Sequence, residues 1–217
     1  MNHNKLILAT FLILIFVSPN LYCWATEPYT PSKTSNTPLN YFSVNIMDTG
    51  QCTAKEFSTM LLFYNPVLNP EKVDFLAKIY IEESHKEGVN QDIAFSQMCL
   101  ETGFLSYGGS VKPEQNNFCG LGATTKYISG EKFPDVQTGV RAHIQHLKAY
   151  ASTNDLNHEV VDMRFRFVKR GTAQTIYELP GKWAADKDYA IKLEDLLNRL
   201  FQLRAQSNQQ EFFNILR

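Results

Sequence analysis

Five of the chain's 11 glycines, Gly103, Gly108, Gly109, Gly120 and Gly122, crowd into one stretch that begins just after a carboxylate, Glu101. Glycine tolerates backbone angles other residues avoid and lets a ligand come close, so this stretch must bend tightly rather than continue as regular structure. What precedes it reads as helix: Asn90 suits the capping of a first turn, and Gln91 to Leu100 follow it. Ala94, Met98 and Glu101 share one face at i, i+4 and i, i+3 spacing, which sets the carboxylate beside apolar neighbours. Desolvation there raises a pKa. A glutamate in water titrates near about 4.3 and is ionised at neutrality, whereas a general acid must keep its proton. The plainer alternative is a solvated carboxylate at a helix end. Tyr107, Asn116, Asn117 and Phe118 lie among the glycines. Rings stack on the C–H faces of a sugar, and amides both donate and accept toward hydroxyl or N-acetyl groups.

The rest of the chain divides at its helix punctuation. Thr53 with Glu56 forms a capping-box signature for a helix that Pro66 stops. Asn69 and Pro70 open a second helix, which buries Val73, Leu76, Ala77 and Tyr80 and ends at Gly88. Its Glu82, Glu83 and Glu87 read as a solvated face. From Gly122 to Pro134, Thr124, Thr125, Tyr127 and Ile128 are strand formers, Ser129-Gly130 is a turn, and Glu131, Lys132 and Phe133 return. That predicts a small β-hairpin forming one wall of a cleft. Glycoside hydrolysis usually pairs an acid with a second carboxylate, and Glu131 is the hairpin's candidate. Asp135 caps the next helix, whose core stripe runs Val136, Val140, His143 or Ile144, Leu147 and Ala151. His143 and His146 lack a partner at zinc-ligand spacing and read as packing and surface residues. Phe165 and Phe167 favour burial. Leu193, Leu196, Leu197, Leu200 and Leu203 form the stripe of a last helix that thins past Gln206, with Phe212 and Phe213 able to dock as a short closing helix.

Four ordered blocks carry a resemblance: ETGFLSYGG, then NNFCGLG, then FPDVQTGVRAHIQHLKAY, then KWAADKDYAIKL. Together they resemble the mannosyl-glycoprotein endo-β-N-acetylglucosaminidase-like family, glycoside hydrolase family 73, over about Cys52 to Leu203. The resemblance implies a lysozyme-like, mainly helical α+β fold that cleaves the peptidoglycan strand after N-acetylglucosamine, with Glu101 as general acid. It also places Trp183, Asp186 and Tyr189 in the family's tryptophan block, with Tyr189 near the reacting sugar. A phenol there can bond the N-acetyl group or order the catalytic water. The alternative for Asp186 is a cap on the last helix. No metal or organic cofactor is required. Inversion with Glu131 as base, retention through a nearer carboxylate, and participation of the substrate's N-acetyl group all remain open.

Lys5 followed by the apolar run Leu6 to Val17 and by Cys23-Trp24-Ala25 reads as a secretory signal peptide, residues 1–25. Residues 26–45, rich in Pro, Ser, Thr and Asn, read as a flexible lead to a domain over 46–217. Cleavage after Ala25 leaves 217 − 25 = 192 residues and removes Lys5, so 20 basic residues face 22 acidic ones and the formal charge is −2. Such a balance gives no electrostatic reason for nucleic-acid or anionic-membrane binding. The expectation is an exported monomer, periplasmic or at the cell wall, whose partner is the peptidoglycan glycan strand. Of the 4 cysteines, Cys52, Cys99 and Cys119 remain after cleavage; Cys99 and Cys119 flank Glu101 and either bridge or stay as buried thiols. Rival readings are a lysozyme or lytic transglycosylase on the same fold, a non-catalytic wall-binding module, and a cysteine peptidase using Cys119 with His143.

Overall fold

The computed structural model describes residues 42–123 and 127–215. The expected signal peptide, and the expected lead up to residue 41, lie outside the described residues. Helix α1 (Ala54–Tyr64) starts from a reciprocal capping box in which Glu56 Oε2 accepts from the Thr53 amide at 2.6 Å. Helix α2 (Pro70–Glu87) is capped by Asn69 and stops at the left-handed Gly88. Helix α3 (Gln91–Thr102) is capped by Asn90 and stops at Gly103, φ 56°. Asp135 caps α4 (Val136–Ala151), accepting from the Thr138 amide at 2.7 Å, and α5 (Tyr189–Ile215) is the last element. These sites satisfy amides that the first helical turn cannot pair internally, which is why short polar residues mark the starts.

Helix α3 runs through the middle. Every residue from Gln91 to Cys99 is buried; α2, α4 and α5 pack on it, while α1 packs on α2 and α5. Phe57 of α1 stacks on Phe95 of α3 with ring centroids 4.0 Å apart. Phe95, Ile93 and Met98 are inaccessible to solvent, each contributing about 1.5–3 kcal/mol by burial. A helix enclosed on all sides must still satisfy its polar side chains. Asp92 does so by accepting from the Gln51 and Cys52 amides at 2.7 and 3.0 Å, and a Cβ at Gly50 would strike its carboxylate at 2.7 Å. Only a glycine fits there.

Four expectations are corrected. No strand occurs among the described residues, so the β-hairpin lobe is absent and the described fold is helices joined by turns. The reason is where the backbone carbonyls go: Gln115 Nε2 donates to Ser129 O at 2.6 Å and Glu131 O at 3.1 Å, and Asn117 Nδ2 donates to Leu121 O and Glu131 O. Side-chain amides occupy the acceptors that a strand ladder would use. Glu83 and Glu87 are not solvated; each is 1% exposed against α4. Glu83 meets Arg141 at 2.8 Å, Gln137 at 2.8 Å and Lys86 at 3.0 Å, and Glu87 meets Lys148 at 2.8 Å. Phe167 is exposed, with Arg164 and Arg166 over its ring, and Phe165 is only partly buried. Helix α5 continues unbroken past Gln206, leaving Phe212 and Phe213 exposed rather than docked.

Candidate active site

Glu101 lies in the last turn of α3, just before the helix stops at Gly103. Its Oε1 accepts from the Tyr189 hydroxyl at 2.6 Å and from Trp183 Nε1 at 2.9 Å. Gln97, one turn earlier on α3, donates from Nε2 to Tyr189 Oη at 2.8 Å, and its Oε1 bonds His143 Nε2 at 2.9 Å. His143 Nδ1 in turn meets the Tyr80 hydroxyl at 3.0 Å. Tyr80 ends the chain fully buried, and among the described residues its proton has one acceptor, His143 Nδ1. The direction of every bond follows from that: Tyr80 donates to His143, His143 Nε2–H to Gln97, Gln97 to Tyr189, and Tyr189 to Glu101. Burial, reinforced by the neighbouring His146, lowers the His143 pKa to about 3, so the imidazole stays neutral and the chain keeps one polarity.

Oε1 of Glu101 thus holds two donors. Oε2 has no hydrogen-bond partner among the described residues and is the oxygen left to carry a proton. Glu101 counts as exposed, yet that exposure opens into a recessed cleft, and the surrounding protein pushes its pKa up; the Tyr189 and Trp183 bonds pull the other way without cancelling the rise. The cleft holds about 380 Å³ and is lined by Glu101, Tyr107, Asn117, His146, Arg164 and Trp183 together with glycine-rich backbone. Its wall leaves α3 through Phe104, Leu105 and Tyr107, non-glycine residues at φ 53°, 63° and 50°. Left-handed backbone costs about 1–3 kcal/mol per such residue and persists only where the surroundings hold it. Asn65 Nδ2 does so by donating to Phe104 O at 2.8 Å, and Thr102 Oγ1 by accepting from the Leu105 amide at 2.9 Å.

A sequence profile described as mannosyl-glycoprotein endo-beta-N-acetylglucosaminidase, the Glucosaminidase family, matches residues 77–202. A protein of Borreliella burgdorferi described as uncharacterised is 46% identical over 157 residues, 72% of this chain and 77% of its own length. The chain belongs to the Glucosaminidase family. It is a glycoside hydrolase. Among solved structures it is similar to S. aureus Autolysin E in complex with a muropeptide, NAM-L-Ala-D-iGlu, at TM-score 0.48 and 18% identity, over 76% of this chain and 75% of that one.

The glucosaminidase brings some sequence-expected residues to the cleft and sends others elsewhere. Tyr107 and Trp183 line it with Glu101. Tyr189 is buried beneath Glu101, and its hydroxyl is already committed to Gln97 and Glu101. Asn117 lines the cleft, but its amide is spent on Leu121 N, Leu121 O and Glu131 O. Asn116 donates to Phe133 O at 3.1 Å, and Phe118 is core, edge-on to Tyr80. Glu131 is not among the cleft-lining residues; its side chain lies against Gly122, where an added Cβ would come within 3.0 Å of Oε1. Asp186 is exposed, pairs with Lys192 at 2.5 Å and accepts from the Asp188 amide. Cys52, Cys99 and Cys119 are buried free thiols, so Cys99 and Cys119 are not bridged. Burial raises the Cys119 pKa well above its ordinary value, and both His143 nitrogens are bonded to Tyr80 and Gln97 rather than to a thiol. No group of three or more potential metal ligands occurs among the described residues.

Sequence reasoning passed over Gln97, Asp162 and Arg164 as site residues and read His146, which lines the cleft, as a packing or surface residue. Gln97 carried a signal, standing one turn before Glu101 on its helix. His146 and Asp162 carried none, because nothing local joins them.

Proposed function

We propose that Glu101 is the general acid of an endo-β-N-acetylglucosaminidase that cuts the peptidoglycan strand after N-acetylglucosamine. The observation that carries the reading is the asymmetry of its carboxyl group: Oε1 is saturated by Tyr189 and Trp183, while Oε2 is free in a cleft whose packing favours the protonated form. Oε2 gives its proton to the glycosidic oxygen, the bond to the anomeric carbon breaks, and water adds to that carbon. Tyr189 and Trp183 then stabilise the carboxylate that remains, at about 1.5–3 kcal/mol for a hydrogen bond to a charged group. Tyr189 acts through Glu101 rather than on the sugar, while Tyr107 and Trp183 offer ring faces to the glycan. The apolar run Leu6 to Val17 behind Lys5 supports export to the wall, and no helix among the described residues is long and apolar enough to cross a membrane.

The test is product analysis after wild type and Glu101→Gln are incubated with peptidoglycan. Wild type is expected to release new N-acetylglucosamine reducing ends, and the variant to lose activity by about 10²–10⁴-fold. N-acetylmuramic or anhydromuramyl ends would move the bond choice to the lysozymes or lytic transglycosylases, and an active Glu101→Gln would remove the residue from its role.

A further inference from the structure

The acid accounts for one half of a hydrolysis; something must still take a proton from the attacking water. Glu131, the carboxylate the sequence offered, is folded against Gly122 and does not line the cleft. A different titratable group does.

His146 of α4 lines the same cleft as Glu101. Its Nδ1 lies 2.7 Å from Asp162 Oδ2, and because a carboxylate only accepts, the proton of the neutral ring is on Nδ1. Nε2 therefore carries a lone pair, has no protein partner among the described residues, and is not one of the buried side-chain atoms left without a bond. The pair is built rather than incidental. Asp162 is 2% exposed, and its Oδ1 accepts from the Arg164 amide at 2.8 Å. Gln145, the neighbour of His146 on α4, holds the segment in register by accepting from the Val161 and Asp162 amides and donating to Glu159 O. One indole links the dyad to the acid: Trp183 packs on the His146 ring at 5.2 Å and donates from Nε1 to Glu101 at 2.9 Å.

We propose that His146, oriented by Asp162, is the general base of this glucosaminidase. The inference rests on the reading of Glu101 as acid. As Glu101 Oε2 protonates the leaving oxygen and the glycosidic bond breaks, the water oxygen bonds to the anomeric carbon and its proton passes to His146 Nε2. Asp162 stabilises the imidazolium so formed. Solvent then carries that proton away and returns one to Glu101, so the net reaction is glycoside plus water. Direct displacement by an activated water inverts the anomeric centre.

The experiment takes the full chain with Glu101→Gln, His146→Ala, His146→Gln and Asp162→Asn, and measures reducing ends released from peptide-free glycan strands, with and without sodium azide. Both His146 variants are expected to lose about 10²–10⁴-fold in kcat with little change in KM. Azide, a nucleophile that needs no base, restores turnover in His146→Ala as the α-glycosyl azide and does nothing for Glu101→Gln. Asp162→Asn lowers kcat without raising KM, the mark of a positioning residue rather than a binding one. Wild-type product followed by NMR appears first as the α-anomer. First appearance of the β-anomer overturns the proposal whatever the variants do. So does near-wild-type kcat in folded His146→Gln alongside an inactive Glu101→Gln, whereas an active Glu101→Gln defeats the underlying assignment instead.

Discussion

The two sides of Glu101 are built by different physics. Beneath it, Tyr80, His143, Gln97 and Tyr189 form a buried chain on α2, α4, α3 and α5, with each group both packed and hydrogen-bonded in one direction. Beside it, residues 104–123 and 127–133 form a wall with little regular structure, held by Asn65, Gln115 and Asn117 reaching out to backbone groups. The floor holds the Glu101 carboxyl by its Oε1 through the Tyr189 hydroxyl. The wall shapes a sugar-sized recess by accepting left-handed backbone and offsetting that strain with side-chain amides. A floor made this way should resist perturbation of the wall, and the wall should fail through a few anchors.

The largest effect is expected where the two meet. A Cβ at Gly139 of α4 would come within 1.8 Å of Asn116 O, backbone against backbone, so Gly139→Ala must push the wall off its helix. We expect a loss of about 3 kcal/mol in denaturant unfolding and near-complete loss of hydrolysis. Unchanged activity would mean that the wall is not pinned there. Next comes the floor. His143→Phe leaves the Tyr80 hydroxyl and Gln97 Oε1 without partners, at about 2–3 kcal/mol, and should lower kcat about tenfold through a loosened Tyr189.

The same residue sets a pH signature. Because His143 has a folded pKa of about 3 against an ordinary 6.5, unfolding takes up a proton as the pH falls through that interval. Its contribution is fully present above pH 6.5 and is lost progressively toward about pH 3, with a slope of at most about 1.4 kcal/mol per pH unit. His143→Phe should flatten that part of the stability curve, and an unchanged slope would contradict the buried neutral imidazole.

Smaller effects lie away from both walls. Burial opposes the Glu83 charge, but Arg141, Gln137 and Lys86 outweigh it and bring its pKa from 4.5 down to about 2. The stabilisation is present above pH 4.5 and fades as pH falls toward about 2. Glu83→Gln should cost about 2 kcal/mol at pH 7, remove that acid limb, and leave kcat untouched. A changed kcat would tie the α2–α4 contact to the cleft. Asp186→Asn, at an exposed ion pair, should move neither the melting temperature nor the hydrolysis rate, and a lost rate would return Asp186 to the substrate site.

The helix starts at Thr53, Asn69, Asn90 and Asp135, and the stops at Gly88 and Gly103, were legible because capping acts over a few residues. The hairpin was misread for the complementary reason: strand propensity near Tyr127 and Ile128 is local, but the amides of Gln115 and Asn117 that take the carbonyls come from outside that window. Helix α5 outran its apolar stripe because Arg204, Ala205 and the glutamines past Leu203 sustain a helix without burial and no Gly or Pro stops it. Glu83 and Glu87 looked solvated because nothing on α2 announces Arg141 and Lys148.

By itself, the sequence determined that a carboxylate ends a buried helix beside a glycine-rich bend. Tertiary structure alone decided what that carboxylate touches: Tyr189 lies 88 residues along the chain and Trp183 lies 82, while Gln97 reaches Tyr189 across 92 and His143 across 46. Caps and periodicities are set by neighbours within a turn or so, whereas a hydrogen-bond partner that distant is chosen only when packed helices bring the two groups within about 3 Å.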